Sequence, residues 1–512
     1  MTDKILQDPQ VHCSEIFATM RASMGLPLQE NRVYVWSAIL VSVTLLVIFK
    51  ILYPYPNMVF DSYYYVIAAI SRASVSPWAI GYSWFLRAFG FVSHSPLLLV
   101  AFQYLLLEAS LLVFFLTLTK FFSFSRAFKW LLFAFFFVNP LFLFCANFVM
   151  ADALFIALSI LWVSLLIFMI FRPRPSLIYV HTILILLVFI VRYNALYYPV
   201  VATVAFIATR YKRWQKLLGI GLQLMVIAGF IWYTSLQVGA ISGVTQFSPF
   251  GSWKTANDAL YMYGHIYQDD HEPVPGEFAK LHQIVRQTFQ ANGGKIDDLL
   301  DYSSHFYGSV YMFYKPLSPL IRYEYLLYGR DTVRDLVNFK KMAYMGPLYG
   351  AYGTWLIRKH PMAFVQYFIG PNVIRYFFPP MEAFSSMPPF FLRLDSLGQP
   401  ARTWFGLKTI TVSWSLIDFR TELLSPYETI AGIIHLIFLF NLVAFFVVRR
   451  YRSMPERQLK ALAVLLTLWL LDLGFNLTAA ATVMRYEIFP LIVEFSLVLW
   501  LTEEIYFTRN NT

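Results

Sequence analysis

Charged residues are scarce in this sequence. They make up 13% of its 512 residues, whereas apolar and aromatic residues make up 58%. Soluble domains typically contain about 25% charged and about 45–50% apolar residues, so a single water-soluble core does not account for this composition. The same figures exclude a disordered chain, a collagen-like fibre and a coiled coil.

Cysteine is nearly absent as well. The two cysteines, Cys13 and Cys145, do not supply a disulfide framework. The sequence also lacks a Walker phosphate loop, a GxGxxG after a strand, an HExxH and a CxxC pair. These absences count against ATP-driven transport and zinc-dependent hydrolysis, and we expect no cofactor and no metal.

What the sequence does contain is long apolar runs. A membrane-spanning helix needs roughly 20 mostly apolar residues. The sequence therefore predicts an all-α polytopic membrane protein with about ten transmembrane helices. The predicted spans are 33–53, 97–119, 130–146, 150–171, 176–192, 195–210, 217–238, 428–448, 461–483 and 487–507.

The positive charges predict the orientation of these helices. A net charge of +11 could indicate a nucleic-acid partner, but the Lys and Arg residues cluster in short loops at 120–129, 172–174, 210–216 and 449–460. By the positive-inside rule these loops are cytoplasmic, and with an even number of spans both termini are cytoplasmic too. We therefore expect a multi-pass protein of the bacterial inner membrane that contacts membrane lipids and no nucleic acid.

The same pattern divides the chain into parts. Residues 1–32 form a predicted cytoplasmic segment without a signal-peptide pattern, so the first span is expected to remain as an anchor. The transmembrane core is predicted at 33–238, including an outer loop at 54–96, and the C-terminal transmembrane helices are predicted at 428–512. The intervening 239–427 is predicted to form a small extracytoplasmic domain.

Two features of 239–427 support that interpretation. It contains turn-forming Gly, Asn, Asp and Pro residues between amphipathic stretches such as 277–291. Its stretch 361–378 is apolar enough to resemble a span, but one extra crossing would place the basic cluster at 449–452 outside. We therefore predict a buried or interfacial helix there.

Asp61 is the first candidate functional residue. It lies in the aromatic stretch FDSYYYV of the predicted outer loop, shortly after the first span. A carboxylate partly shielded from water can act as a general base on a sugar hydroxyl. The alternative is a helix N-cap, since Asp61 precedes an apolar periodic run.

Three more ionisable residues lie at the predicted outer ends of helices. Asp152 opens the fourth span, where it either faces a shared cavity or is held by the helix dipole. Arg192 and Arg485 lie on the side where the positive-inside rule disfavours them. Each is either a two-pronged clamp on a lipid phosphate or a structural residue, as a snorkelling anchor or in an Arg–Glu pair. Neighbouring candidates for substrate binding are Tyr64, Tyr193, Asn194 and Glu487.

Taken together, these motifs resemble the polytopic glycosyltransferases of the GT-C superfamily, in particular the protein O-mannosyltransferase and aminoarabinose-transferase branch. The resemblance lies in FDSYYYVIAA after the first span, PWAIGYSWFLRAFG at 77–90, NFVMADALF at 147–155, VRYNALYYP at 191–199 and MRYEIFP at 484–490. It implies a GT-C-like fold and a polyprenyl-phosphate-linked sugar as donor. Relatives commonly carry two adjacent acids in the first loop, whereas here Ser62 follows Asp61, so metal-independent transfer is expected.

The chemistry of such a transfer matches these residues. Phosphate is already a good leaving group, so the reaction needs a base for the acceptor hydroxyl and cations for the departing phosphate. Asp61 is the expected base, Asp152 the second acid, and Arg192 and Arg485 the phosphate ligands. We expect an inverting glycosyltransferase that acts on a lipid, glycan or protein acceptor at the periplasmic face. The alternative is a polytopic transporter or a flippase for a lipid-linked sugar.

Overall fold

The computed structural model describes residues 30–270, 273–291, 318–329, 339–381, 398–407 and 414–507, with side chains from 419 in the last range. The N-terminal segment predicted at 1–32 lies outside the described residues except for its last three positions. In the described ranges the chain is helical and has a single isolated β-bridge.

The first half of the chain forms ten helices separated by short connections. In chain order they are α1 (Arg32–Leu52), α2 (Phe60–Ile70), α3 (Gly81–Gly90), α4 (Pro96–Phe121), α5 (Arg126–Phe137), α6 (Pro140–Asn147), α7 (Ala151–Phe171), α8 (Ser176–Val191), α9 (Tyr198–Ala208) and α10 (Arg213–Ser242). A 3-10 turn at Tyr193–Tyr197 joins α8 to α9.

The second half is described with gaps. Its helices are α11 (Pro249–Tyr263), α12 (Ala279–Ala291), α13 (Pro319–Tyr328), α14 (Phe339–Lys359), α15 (Pro361–Phe364), α16 (Gly370–Phe377), α17 (Gln399–Phe405), α18 (Trp414–Leu424), α19 (Tyr427–Val447), α20 (Glu456–Ala479) and α21 (Met484–Thr502). π-helical turns lie at Val365–Ile369 and Glu503–Phe507.

The apolar helices bear out the prediction of an all-α membrane protein. Within the described ranges, seven helical segments are long and apolar enough to cross a membrane, namely Arg32–Leu52, Pro96–Phe121, Arg126–Asn147, Ala151–Phe171, Arg213–Ser242, Phe419–Val447 and Glu456–Ala479. The other three predicted spans correspond to the shorter apolar helices α8 and α9 and to α21, which carries Arg485, Glu487 and Glu494. The count of ten crossings therefore stays a prediction.

The main core is built around α7. This helix is apolar on every side and buried along almost its whole length, as expected for a helix enclosed by others. It packs against α4, α8, α9, α20 and α21. Asp152 lies in the first turn of α7. The packing of this helix against its neighbours therefore fixes the position of the carboxylate.

A second hydrophobic core lies within the region predicted as a separate domain. Its buried residues include Trp253, Phe289, Tyr349 and Phe368 from α11, α12, α14 and the π-helical turn after α15. The indole of Trp253 donates a hydrogen bond to the carbonyl of Met342 at 2.8 Å. The region thus has its own core, and its location outside the membrane stays a prediction.

The ambiguous stretch 361–378 forms α15, a π-helical turn and α16. It packs against the end of α20, where the Asn372 amide donates hydrogen bonds to the carbonyls of Leu477 at 3.2 Å and Ala480 at 3.0 Å. That this stretch is a buried or interfacial helix rather than a span stays a prediction.

Candidate functional site

A backbone bridge brings the predicted outer loop to the start of α7. The Asn57 N–H donates to the carbonyl of Asn147 at 2.8 Å, and the Val149 N–H donates to the carbonyl of Asn57 at 3.0 Å. Asn57 precedes α2 and Val149 precedes α7, so the bridge places the first turns of these two helices side by side. Asp61 and Asp152 lie in those first turns.

The side chain of Gln103 stabilises the same connection before α7. Its amide, buried in α4, donates to the carbonyls of Ala146 at 2.8 Å and Phe148 at 3.1 Å. The Tyr82 hydroxyl in turn donates to the Gln103 side-chain oxygen at 2.6 Å. Together they position the backbone next to Asp152.

Asp61 is not the N-cap of its helix. The N-cap of α2 is Val59, whose N–H donates to the Ser62 hydroxyl at 3.0 Å. The Asp61 carboxylate instead pairs with Arg485, with Nη1 and Oδ2 3.5 Å apart. Capping therefore does not explain this residue.

A second ion pair lies beside the first. Arg192, which follows the last residue of α8, pairs with Asp152 at 2.5 Å. The Tyr486 ring contacts both guanidinium groups, with centroids 5.1 Å from Arg192 and 4.9 Å from Arg485. The four ionised side chains are between 7% and 21% exposed, so they are shielded yet reachable.

The surroundings change the ionisation of Asp61. Burial raises the pKa of its carboxyl above the ordinary value, Arg485 opposes that rise, Asp152 adds to it and Arg192 opposes it. All four residues therefore act on one another electrostatically. A carboxylate with a raised pKa is a stronger general base, when it is ionised, than a free one.

A narrow cleft lies against the two arginines of this group. Arg192 and Arg485 form its cationic end. Its polar wall consists of Asn194, Tyr197, Asp472 and Asn476, and its apolar wall of Phe155, Ile156, Phe475, Tyr486 and Phe489. Two guanidinium groups, hydrogen-bonding groups and aromatic rings suit a ligand with a phosphate, a polyhydroxylated part and an apolar part.

The other predicted residues divide into two groups. Asn194 lines the cleft, whereas Tyr64, Tyr193 and Glu487 do not. Asp61 and Asp152 do not line it either, but each contacts an arginine that does. Tyr64 stacks on Trp78 at 4.6 Å between ring centroids, and Tyr193 packs against Phe247 at 4.5 Å. Glu487 is fully buried behind the cleft and does not pair with the neighbouring Arg485.

Asp472 is the main residue that the sequence reasoning missed. Its Oδ1 accepts from the Tyr197 hydroxyl at 2.7 Å, and its Oδ2 accepts from Tyr376 at 3.3 Å and Asn476 at 3.1 Å. The signal was available, because an acid inside an apolar helix is a functional candidate by default. Tyr486 was missed because its role depends on two arginines that only the fold brings together.

Comparisons with models of protein families, with curated proteins and with solved structures find no match for this chain.

Proposed function

We propose that this protein is an inverting glycosyltransferase of the GT-C type, which moves a sugar from a polyprenyl phosphate to an acceptor hydroxyl at the outer face of the membrane. One observation carries the proposal: the two arginines that line the cleft each pair with an acid from a distant stretch of the chain, Arg192 with Asp152 and Arg485 with Asp61. Asp61 and Arg485 alone are 424 positions apart in the chain. If Arg192 and Arg485 only anchored helix ends at the membrane surface, pairing with acids from distant parts of the chain would not be expected.

The cationic end of the cleft is suited to the departing phosphate. Arg192 and Arg485 present guanidinium groups at helix ends, where the headgroup of a lipid-linked donor would lie. As the bond between the anomeric carbon and the phosphate oxygen breaks, its electron pair leaves with the phosphate. The two cations stabilise that charge without any movement of protein groups.

Asp61 is the proposed base. Its contact with Arg485 uses Oδ2, and among the described residues Oδ1 accepts no hydrogen bond. Oδ1 can therefore take the proton of the acceptor hydroxyl while the acceptor oxygen bonds to the anomeric carbon. A single displacement from the face opposite the phosphate inverts that carbon.

Asp152 is the proposed positioning residue. Its carboxylate pairs closely with Arg192 and so fixes the direction in which that guanidinium points. Asp152→Asn is expected to be milder than a change at Asp61, because it weakens the alignment of the donor and leaves the proton acceptor in place.

The test is transfer of a labelled sugar from polyprenyl phosphate in membranes that contain the Asp61→Asn variant. Asn preserves the size of Asp and removes its basicity. Loss of a general base typically costs about 10²–10⁴-fold in rate, so we expect normal expression and donor binding with transfer reduced by at least about 10²-fold.

Glu428→Gln is the matched control. Glu428 is another first-turn acid on the predicted outer side, is exposed and does not line the cleft. This variant should keep full transfer activity. Full activity of Asp61→Asn would contradict the assignment of the base.

A proton-coupled transporter or flippase is the second candidate function. The observation that favours it is the group of buried acids behind the cleft, since chains of Asp, Glu and His occur in proton pathways. Movement of the lipid-linked sugar across vesicles without any transfer would support this alternative.

A further inference from the structure

The interior behind the cleft contains ionisable groups that the proposed reaction does not use. Asp472 forms part of the cleft wall, while Glu487, Glu494 and His435 are at most 1% exposed. His435 Nδ1 lies 2.7 Å from a Glu494 oxygen. Glu487 and Glu494 are separated by seven residues, which is about 10 Å along a helix. We call these four residues the buried acid cluster.

Several atoms of this cluster have no partner. Among the described residues, neither carboxyl oxygen of Glu487 accepts a hydrogen bond, and His435 Nε2 and Glu494 Oε1 are buried without one. Glu487 also lies within electrostatic range of Asp472 and Glu494, so it faces two other acids. An ionised Glu487 carboxylate would be repelled by both acids and would have no hydrogen bond to stabilise its charge.

The elements around Glu487 offer little to offset a negative charge. Asp472 faces it from α20, Tyr376 from α16 and Tyr197 from the 3-10 turn, and none of these is a cation. His435 on α19 is paired with Glu494. The nearby arginines are committed elsewhere: Arg375 Nε–H donates to the carbonyl of Thr482, Arg192 pairs with Asp152 on α7, and Arg485 pairs with Asp61.

A proton is the ligand that fits this cluster. An isolated buried carboxylate generally becomes neutral by binding a proton, because an unpaired charge costs far more than a neutral acid. A metal ion fits less well, since within the described ranges no three His, Cys, Asp or Glu residues form a group that could hold one.

The charge balance of the cleft supplies a reason for such a site. The two arginines at its cationic end are already balanced by the aspartates with which they pair, so an incoming phosphate brings an uncompensated negative charge to the cleft that Asp472 also lines. We propose that the buried acid cluster is a proton-binding site which takes up a proton when a phosphate occupies the cleft. The inference rests on the phosphate end of the proposed function and does not depend on glycosyl transfer.

The proton itself can be observed in the purified protein. Infrared spectra of the wild type at neutral pH should contain the carbonyl stretching band of a protonated carboxylic acid that is absent from Glu487→Gln. Glu428→Gln is the control, because Glu428 is an exposed acid in the first turn of α19 and does not line the cleft. Wild-type and Glu487→Gln spectra without any difference in this band would overturn the proposal.

The coupling is tested by calorimetric titration with farnesyl phosphate in two buffers of different ionisation enthalpy. Binding to the wild type and to Glu428→Gln should take up protons, and Asp472→Asn should bind with less uptake, because Asp472 is the acid of the cluster that lines the cleft. The phosphate's own change in ionisation is the same with all three proteins. Any difference in proton uptake between them therefore comes from the buried acid cluster. Equal uptake in all three would overturn the coupling. Absence of binding to the wild type would overturn the phosphate end of the cleft, and the infrared band would then decide the proton site by itself.

Discussion

Asp61 and Asp152 occupy equivalent positions in two different helices. Each lies in the first turn, and neither helix has a side-chain N-cap bond. The partial positive charge of a helix N-terminus favours both carboxylates, and each also pairs with an arginine from a distant part of the chain. From the sequence, the alternatives were an N-cap role for Asp61 and an Arg–Glu pair for Arg485. In the structure Asp61 and Arg485 pair with each other instead, because the fold brings these oppositely charged side chains together.

The arginines should determine how tightly the donor phosphate binds. Charge-assisted hydrogen bonds contribute about 1.5–3 kcal/mol each, so Arg192→Ala and Arg485→Ala should each weaken binding of a polyprenyl-phosphate sugar by about 10–100-fold. Arg→Lys should restore only part of this, because the two-pronged geometry is lost. Equilibrium binding in detergent measures the effect.

Arg87→Ala is the control for this experiment, since Arg87 lies on α3 and does not line the cleft. Its affinity for the donor should equal that of the wild type. Unchanged affinity in both cleft variants would make those arginines structural anchors.

The raised pKa of Asp61 predicts a pH dependence. A general base works only when ionised, so transfer should fall as the pH drops through its pKa. Because burial raises the pKa of this carboxyl, the acidic limb of kcat/KM should lie above the ordinary Asp value of about 3.9. The pH profile of transfer measures this limb, and Glu428→Gln should show the same profile. A limb at or below about 3.9 would contradict the role of Asp61.

At the scale of elements, the cleft depends on close contacts between helix ends. The first residue of α3, Gly81, lies against the end of α8, where a Cβ at this position would come within 2.4 Å of the Ile190 carbonyl oxygen. Arg192 follows two residues later. Only glycine permits this approach, so the packing of α3 on α8 helps to position the guanidinium.

Gly81→Ala should therefore weaken both the fold and the site. Overpacking typically costs about 1–3 kcal/mol, and the displaced end of α8 should move Arg192 and lower donor affinity. Thermal unfolding in detergent and donor binding measure the two effects.

Gly221→Ala is its matched control. Gly221 lies inside α10, and a Cβ there meets nothing within 4 Å. Ala is favoured over Gly inside a helix by roughly 0.5–1 kcal/mol, so this variant should be as stable as the wild type or slightly more stable. If Gly81→Ala behaved in the same way, the contact with α8 would have no role.

At the scale of the whole molecule, the described chain contains two principal cores. One belongs to the bundle around α7, and the other to the region from α11 to the π-helical turn after α15. The orientation of both relative to the membrane stays a prediction, which rests on the positive-inside rule and the basic loops.

Cysteine labelling from outside intact cells should reveal this orientation. In a Cys13→Ser background, a membrane-impermeant maleimide should label Phe91→Cys and Glu277→Cys, both at exposed positions. Ser453→Cys, also exposed, should react only after the cells are broken. Labelling of Ser453→Cys in intact cells would invert the topology and move the cleft to the cytoplasmic side.

The sequence by itself determined the class of the protein and the location of most of its helices. Apolar runs of about 20 residues have few alternatives to membrane-embedded helices, because an unpaired backbone polar group costs several kcal/mol in hydrocarbon. Asp61, Asp152, Arg192 and Arg485 were likewise visible as charges at the ends of apolar runs. The resemblance to GT-C enzymes and the number of crossings stay predictions.

Only the tertiary structure decided which residues share the cleft. Tyr64 and Tyr65 follow Asp61 at i+3 and i+4, and both spacings lie on the same helix face as the acid. It is Tyr65 that lies within electrostatic range of all four charged residues, whereas Tyr64 stacks on Trp78. Asp472 joins the cleft from a helix more than 200 residues after Arg192. Helical periodicity fixes a side chain's direction only relative to its own axis, so packing between helices distant in the chain had to select these partners.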